Sequence, residues 1–346
     1  MTLPPSVERR DGIEPYRLDL FLSVDIVGST AYKFSQDVAT RPDQLRSPEG
    51  LDQTTWFHAI GKFYEHFHRR FMSDGEAAGV ALWKALGDEL VYRAVIRDRA
   101  QTAALVAGFA GAVQETREVV QGFSRTLDLK ACAWVADFPV RNVTISIDGL
   151  RSGGRQVEDF IGPSMDVGFR LGAFATRRKM MVSVELALIL ATGDRGEGAG
   201  SFTFGYDRRE SLKGVLGGDA YPLIWIDLEN DRDQMEVNRC EARLQGRRAD
   251  LSRADVVEFC RAYMAATPWM EMPHLGQDGA GDFADPPPSY GRYVRKRQAR
   301  LDQEAERLAR RDTRPPGPED GPSASDDLLG DMPVPSPDGD AQGNRI

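Results

Sequence analysis

Apolar and polar positions fall into short runs that read alternately as strands and helices. The first strand is expected from about Arg17 to Asp25, and Phe21-Leu-Ser-Val-Asp25-Ile-Val-Gly28-Ser-Thr30, an apolar run that meets a carboxylate at Asp25, predicts a buried strand opening into a small-residue turn. Residues 1 to 16 are polar and Pro-containing and predict an irregular lead-in, while 31 to 50, with Arg41-Pro42 and Ser47-Pro48, predict a loop that opens on a short helix. From Leu51 the positions Trp56, Ile60, Phe63, Phe67 and Phe71 recur at helical spacing, so an amphipathic helix should run to about Ser73, with its aromatic stripe in the core. Two apolar runs meeting at Gly87-Asp88 predict a hairpin over 79 to 96, followed by a helix over 98 to 122. Leu127 to Val135 and Val140 to Asp148 predict a strand pair across Asp137-Phe-Pro139, with a Gly/Arg loop at 149 to 155.

The next segment, 157 to 178, passes from extended to helical at Gly162-Pro163, since proline suits a first helical turn. A short strand at Met180 to Val184, a helix to Leu190, strands at Phe202 to Tyr206 and Tyr221 to Leu228, and helices at 234 to 246 and 252 to 266 complete the folded part. Beyond Pro268 the composition turns to Gly, Asp and Pro, then to a charged helical stretch at about 290 to 311. From Pro315 the absence of periodicity predicts a disordered tail.

Composition narrows the class. With 346 residues, 41% of them hydrophobic, the chain can bury a sizeable core. No apolar run reaches the ~18 residues that span a bilayer, and the N-terminus lacks the apolar stretch of a secretion signal, so a cytoplasmic location without membrane partners is expected. The net charge of −9 argues against a broad nucleic-acid-binding face, and the run Arg292, Arg295, Lys296, Arg297 and Arg300 reads as the solvated side of a helix. Three widely spaced cysteines suggest buried thiols rather than a disulfide framework or a zinc knuckle.

A carboxylate at a strand tip followed by Gly28, Ser29 and Thr30 is suited to a metal-bound phosphate, because backbone N–H groups can face the anion while Asp25 holds the cation. By itself it is equally a strand end and a helix cap; the second carboxylate site at Gly87-Asp88-Glu89 adds weight to the metal reading. Asp166 and Arg170, four apart on a helix, can be an ordinary ion pair worth a few tenths of a kcal/mol.

Taken in order, the segments over residues 17 to 228 resemble the catalytic domain of class III nucleotidyl cyclases. Phe21 to Thr30 is similar to the family's first-strand motif, whose Asp binds two metal ions with the next carbonyl, here that of Ile26, in support. Lys84-Ala-Leu-Gly-Asp88 is similar to the hairpin motif bearing the second metal Asp. Asp159 through Arg170 matches the segment with a base-contacting residue, an Asn and a transition-state Arg, and Leu212-Lys213-Gly214 matches the motif whose Lys grips the terminal phosphates. The resemblance implies an α+β fold with a ferredoxin-like βαββαβ core, an antiparallel sheet with flanking helices, and C-terminal helices. The implied division is lead-in 1–16, catalytic domain 17–230, helical appendage 231–268 and charged linker with tail 269–346.

It also implies a nucleoside triphosphate substrate, two Mn²⁺ or Mg²⁺ ions per site on Asp25, Ile26 and Asp88, and a head-to-tail homodimer with shared active sites. Lys84 and Asp159 would contact the base. Asp166 stands where purine cyclases have Asn and cannot donate an amide hydrogen bond to the ribose. With the Glu210 to Gly218 run and Tyr221-Pro-Leu-Ile-Trp225, this departure resembles the pyrimidine cyclases of bacterial Pycsar anti-phage defence, whose product acts on a separate effector. The implied reaction is UTP to cyclic UMP; cytidylate cyclase, adenylate cyclase and a silent nucleotide sensor are the alternatives. No Gly-x-Gly-x-x-Gly or P-loop motif follows a strand, which disfavours those nucleotide folds.

Overall fold

The computed structural model describes residues 12–39, 56–73, 79–152, 155–193, 202–246, 251–277 and 281–312. The predicted loop beyond residue 39, most of the lead-in and the Pro-rich tail lie outside the described residues. The elements are β1 (Arg17–Val27), α1 (Ser29–Ala39), α2 (Trp56–Ser73), β2 (Val80–Leu86), β3 (Glu89–Ile96), α3 (Arg99–Phe123), β4 (Asp128–Phe138), β5 (Val143–Ser152), β6 (Arg155–Ile161), α4 (Pro163–Leu171), β7 (Lys179–Val182), α5 (Val184–Thr192), β8 (Phe204–Ser211), β9 (Ala220–Asp227), α6 (Arg232–Leu244), α7 (Arg253–Ala265) and α8 (Pro288–Asp312).

A mixed sheet of order β2-β3-β1-β4-β7-β9-β8 carries the fold, and β5-β6 form a separate hairpin. Its first four strands are antiparallel neighbours, and with α1, α2 and α3 crossing between them they make the βαββαβ core expected of the α+β class. β7 joins β4 in parallel, which requires a long crossover, here the β5-β6 hairpin and α4. β1 lies centrally and is buried almost throughout, hence its near-continuous apolar run.

Side chains alternate across the sheet, so neighbouring β1 residues serve opposite faces. On one face Leu22 lies opposite Tyr92, whose ring packs on Phe67 and Phe71 of α2; both rings also contact Phe109 of α3. On the other, Phe21 stacks on Trp134 at 5.5 Å and meets Trp83 and Phe160 edge-on. α4 covers this second layer, with Gly168 directly over the Trp134 indole.

One expected pairing is corrected. β4 and β5 follow one another but do not pair: β4 lies between β1 and β7, and β5 pairs with β6. Asn142 instead anchors the chain as it leaves β4, donating to the Asp137 carbonyl at 3.0 Å and to Ser164 Oγ at 3.1 Å, while its Oδ1 accepts from Ser164 N. One side chain thereby ties the end of β4 to the start of α4.

The segment after α7 also differs from its linker-like composition. Met270, Leu275 and Phe283 are buried, and Tyr16 packs edge-on against His274 and Tyr290. Trp269 and Met272 also pack against the core, so this stretch is anchored by apolar side chains rather than free of them. The boundary between two compact units falls within α8, between Gln298 and Ala299. Among the described residues no helix is long and apolar enough to cross a membrane.

Candidate functional site

β1 ends by delivering Asp25, and the β2-β3 turn delivers Asp88. Antiparallel register sets Asp25 opposite Glu89 on β3 and Lys130 on β4, and Ile26 N donates to the Asp88 carbonyl at 3.2 Å. The turn is held from outside by Tyr64 of α2, whose hydroxyl donates to the Gly87 carbonyl at 2.7 Å. Gly28 follows with φ +81°, and a Cβ there would lie 2.6 Å from the Thr126 carbonyl oxygen, so only glycine allows this turn against the α3-β4 connection. α1 then starts at Ser29, whose hydroxyl donates to Asp88 Oδ2; Thr30 is exposed.

Each carboxylate has an ammonium beside it. Lys130 Nζ is 3.0 Å from Asp25 Oδ2, and Lys33 Nζ of α1 is 3.6 Å from Asp88 Oδ2. Burial pushes the Asp25 carboxyl above its usual range, the Lys130 contact opposes this, and the Asp88 charge adds to it. Glu89 is raised for the same first reason; its Oε1 accepts from Ser23 Oγ at 2.5 Å, and the Asp25 charge pushes it further.

A second group lies along β2, β6 and α4. Lys84 Nζ and Asp159 Oδ1 pair at 2.7 Å, so the two predicted base-contacting residues are neighbours. Asp166 and Arg170 are both exposed on α4, and neither has an ion-pair partner among the described residues. The intrahelical pair permitted by their spacing is therefore not formed. Lys213 sits exposed in the β8-β9 connection, fixed by the buried neighbours Leu212 and Val215 and by Gly214 at φ +74°, also without an ion-pair partner among the described residues.

The chain thus presents two sets: paired carboxylates neutralised by lysines, and outward-facing Asp166, Arg170 and Lys213 with free charges. A cleft of about 730 Å³ beside α6, lined by residues such as Arg178, Lys179, Trp225 and Asn238, contains none of them.

No family model matches this chain, and no curated protein matches its sequence. Solved structures do align with it. A guanylyl cyclase aligns over 62% of this chain and 92% of its own at 16% identity and a TM-score of 0.43. An adenylyl cyclase from P. aeruginosa aligns over 63% and 97% at 11% identity and 0.44, and a guanylate cyclase domain from Catenaria anguillulae, solved in complex with GTP, over 62% and 98% at 12% and 0.41. At these identities and scores the likenesses carry no argument about this chain's chemistry. That rests on its own residues.

Two residues beside the carboxylates escaped sequence reasoning. Lys130 and Lys33 give no local signal, because only strand register and the α1 axis bring them to the carboxylates. Glu89 was visible beside Asp88, but its place opposite Asp25 also needs the register.

Proposed function

We propose that the chain is a nucleotidyl cyclase acting on a pyrimidine nucleoside triphosphate, UTP first, to give cyclic UMP and pyrophosphate. The single observation that carries this reading is the meeting of Asp25 and Asp88, from separate elements, at the end of β1 with a cationic group already at each. Such a place suits hard divalent cations. Mg²⁺ and Mn²⁺ are suited to sites that supply one or two carboxylates and fill the rest of the coordination with phosphate and water oxygens. Asp25, Asp88 and the Ile26 carbonyl would hold the ions, which supply positive charge to the triphosphate and lower the pKa of the attacking hydroxyl when bound.

In the reaction the ribose 3′-oxygen bonds to the α-phosphorus, the bond from that phosphorus to the oxygen bridging it to the β-phosphate breaks, pyrophosphate leaves with that oxygen, and the hydroxyl proton passes to solvent water. Arg170 meets the charge growing on the α-phosphoryl oxygens, and Lys213 holds the β and γ phosphates. Gly28, Ser29 and Thr30 offer the first-turn N–H groups of α1 to the same anion. Lys84 and Asp159 read the base: one donates to a carbonyl, the other accepts from an N–H. Asp166 can accept a hydrogen bond from a ribose hydroxyl but cannot donate one, which separates this site from an Asn-bearing purine cyclase.

The free charges of Asp166, Arg170 and Lys213 support a composite site, in which these residues complete the carboxylate site of a second copy in a head-to-tail homodimer. We read the product as a second messenger for a separate effector in anti-phage defence. The deciding experiment incubates purified protein with Mn²⁺ and equimolar ATP, GTP, CTP and UTP, with products identified by mass spectrometry. Cyclic UMP is expected. Cyclic CMP would keep the reaction and change the base, cyclic AMP would assign Lys84 and Asp159 to adenine, and no cyclic product with Mn²⁺, or with Mg²⁺ in a parallel incubation, would refute the cyclase reading.

A further inference from the structure

Trp83 is the extra residue of a β-bulge. Leu82 pairs with Tyr92 and Lys84 with Val91, leaving Trp83 without a register partner on β3. A bulge re-aims the side chains around it and keeps them out of the ladder. Here the indole leans over the second layer, against Phe21 at 5.3 Å and Phe160 at 5.2 Å, and its Nε1 donates to the Glu158 carbonyl at 3.2 Å. Lys84 Nζ lies 4.3 Å from the same ring's centroid while it pairs with Asp159. The indole and the Lys84-Asp159 pair are therefore in direct contact.

Phe169 continues this surface on α4. Its ring is 6.2 Å from Trp83 and 5.2 Å from Trp134, yet 38% of the residue remains exposed. It is flanked in sequence by Arg170 and stands one helical turn from Asp166, both without ion-pair partners among the described residues. An aromatic edge left open between a polar donor-acceptor pair and two free charges is the arrangement that recognises a planar heterocycle joined to an anionic chain.

Resting on the cyclase reading, we propose that Trp83 and Phe169 are specificity-determining residues: they form the shelf against which the nucleobase seats while Lys84 and Asp159 read its edge. Phe169, next to Arg170, fixes how far the base can extend toward α4 and so which ring size brings the α-phosphate into register. The occupant is the base of the triphosphate. The competing occupant, the surface of a second copy, is an outcome of the test.

The test measures equilibrium binding of UTP, CTP, ATP and GTP by tryptophan fluorescence in the presence of Ca²⁺, together with turnover in Mn²⁺ and the molecular mass in solution. Wild type and the variants Phe169→Ala, Phe169→Leu and Trp83→Phe are compared. Base-aromatic stacking of ~1–3 kcal/mol corresponds to a roughly 5- to 150-fold loss of affinity for the favoured nucleotide in Phe169→Ala. The same variant should narrow the preference between pyrimidine and purine, and Phe169→Leu should fall between it and wild type. Trp83→Phe should lose most of the fluorescence change, and its turnover in Mn²⁺ should show a weaker preference between pyrimidine and purine than the wild type.

Wild-type binding with unchanged affinity and base preference in Phe169→Ala would overturn the shelf and leave the cyclase reading intact. Loss of dimer mass in Phe169→Ala would assign the ring to the subunit contact and overturn it likewise. Failure of the wild type to bind any nucleotide would overturn the cyclase reading and this proposal together.

Discussion

Gly168→Ala tests how tightly α4 is set on the sheet. A Cβ at this position would lie 2.2 Å from Trp134 Cδ2, 2.3 Å from Cε2 and 2.4 Å from Cγ, whereas carbon atoms at rest sit about 3.5–4.0 Å apart. The indole cannot retreat, because Trp134 is fully buried and stacked on Phe21. α4 must lift instead. Overpacking of this kind costs about 1–3 kcal/mol, and three simultaneous short contacts place it at the upper end. Replacing a helical glycine by alanine returns about 1 kcal/mol of intrinsic helix preference. A net loss of about 2 kcal/mol follows, read as a lower urea midpoint with an unchanged m-value. Arg170 is two residues along the same helix, so turnover should fall by more than the small change in folded fraction explains. Pairing the substitution with Trp134→Leu should recover part of both losses. A Gly168→Ala protein as stable and as active as the parent would refute the close seating of α4.

Two further outcomes are expected. In protein stripped of metal, burial raises the Asp25 pKa above its unfolded value, so the ionised side chain opposes folding. Below about pH 3.9, where the unfolded Asp is protonated, Asp25→Asn and wild type should be equally stable; as pH rises through the folded pKa the wild type loses ground, and the Asn variant should have the higher midpoint at neutral pH. Added Mn²⁺ should reverse that order by binding the native wild type, and an Asn variant less stable than wild type throughout chelator titrations would contradict this. Separately, Asp25→Ala and Arg170→Ala should each abolish turnover, while mixed protomers recover up to about a quarter of the wild-type rate, since half of randomly exchanged dimers are mixed and each holds one whole site. No recovery after subunit exchange shown by native mass spectrometry would rule out the composite site.

Much of the frame was legible because its periods are strong. β1, α2, the β2-β3 hairpin and the Gly162-Pro163 entry to α4 all follow from apolar spacing and turn residues. The β4-β5 error has a plain cause. Two apolar runs separated by Asp-Phe-Pro look like a hairpin, and nothing local shows that Asn142 carries the second run off the sheet toward α4. For the proposed site, Asp25, Asp88, Lys84 and Asp159 stand in short motifs that the sequence alone singles out as candidates. Lys33 and Lys130 do not, because their role depends on register and on an axis direction that no window of residues contains. Gly168 was visible as a glycine amid apolar helix residues, a signal of close approach whose partner only the fold supplies.

The lysines beside Asp25 and Asp88 have a consequence for the life of the protein outside turnover. Many metalloproteins use their ions as rivets, and chelation unravels them. Here the resting chain brings its own counter-charges, so under the proposed metal-binding reading an arriving ion would take the place of an ammonium already there. Starvation of metal would then idle such a molecule without dismantling it, and the same folded copy could return to duty when the ion reappears.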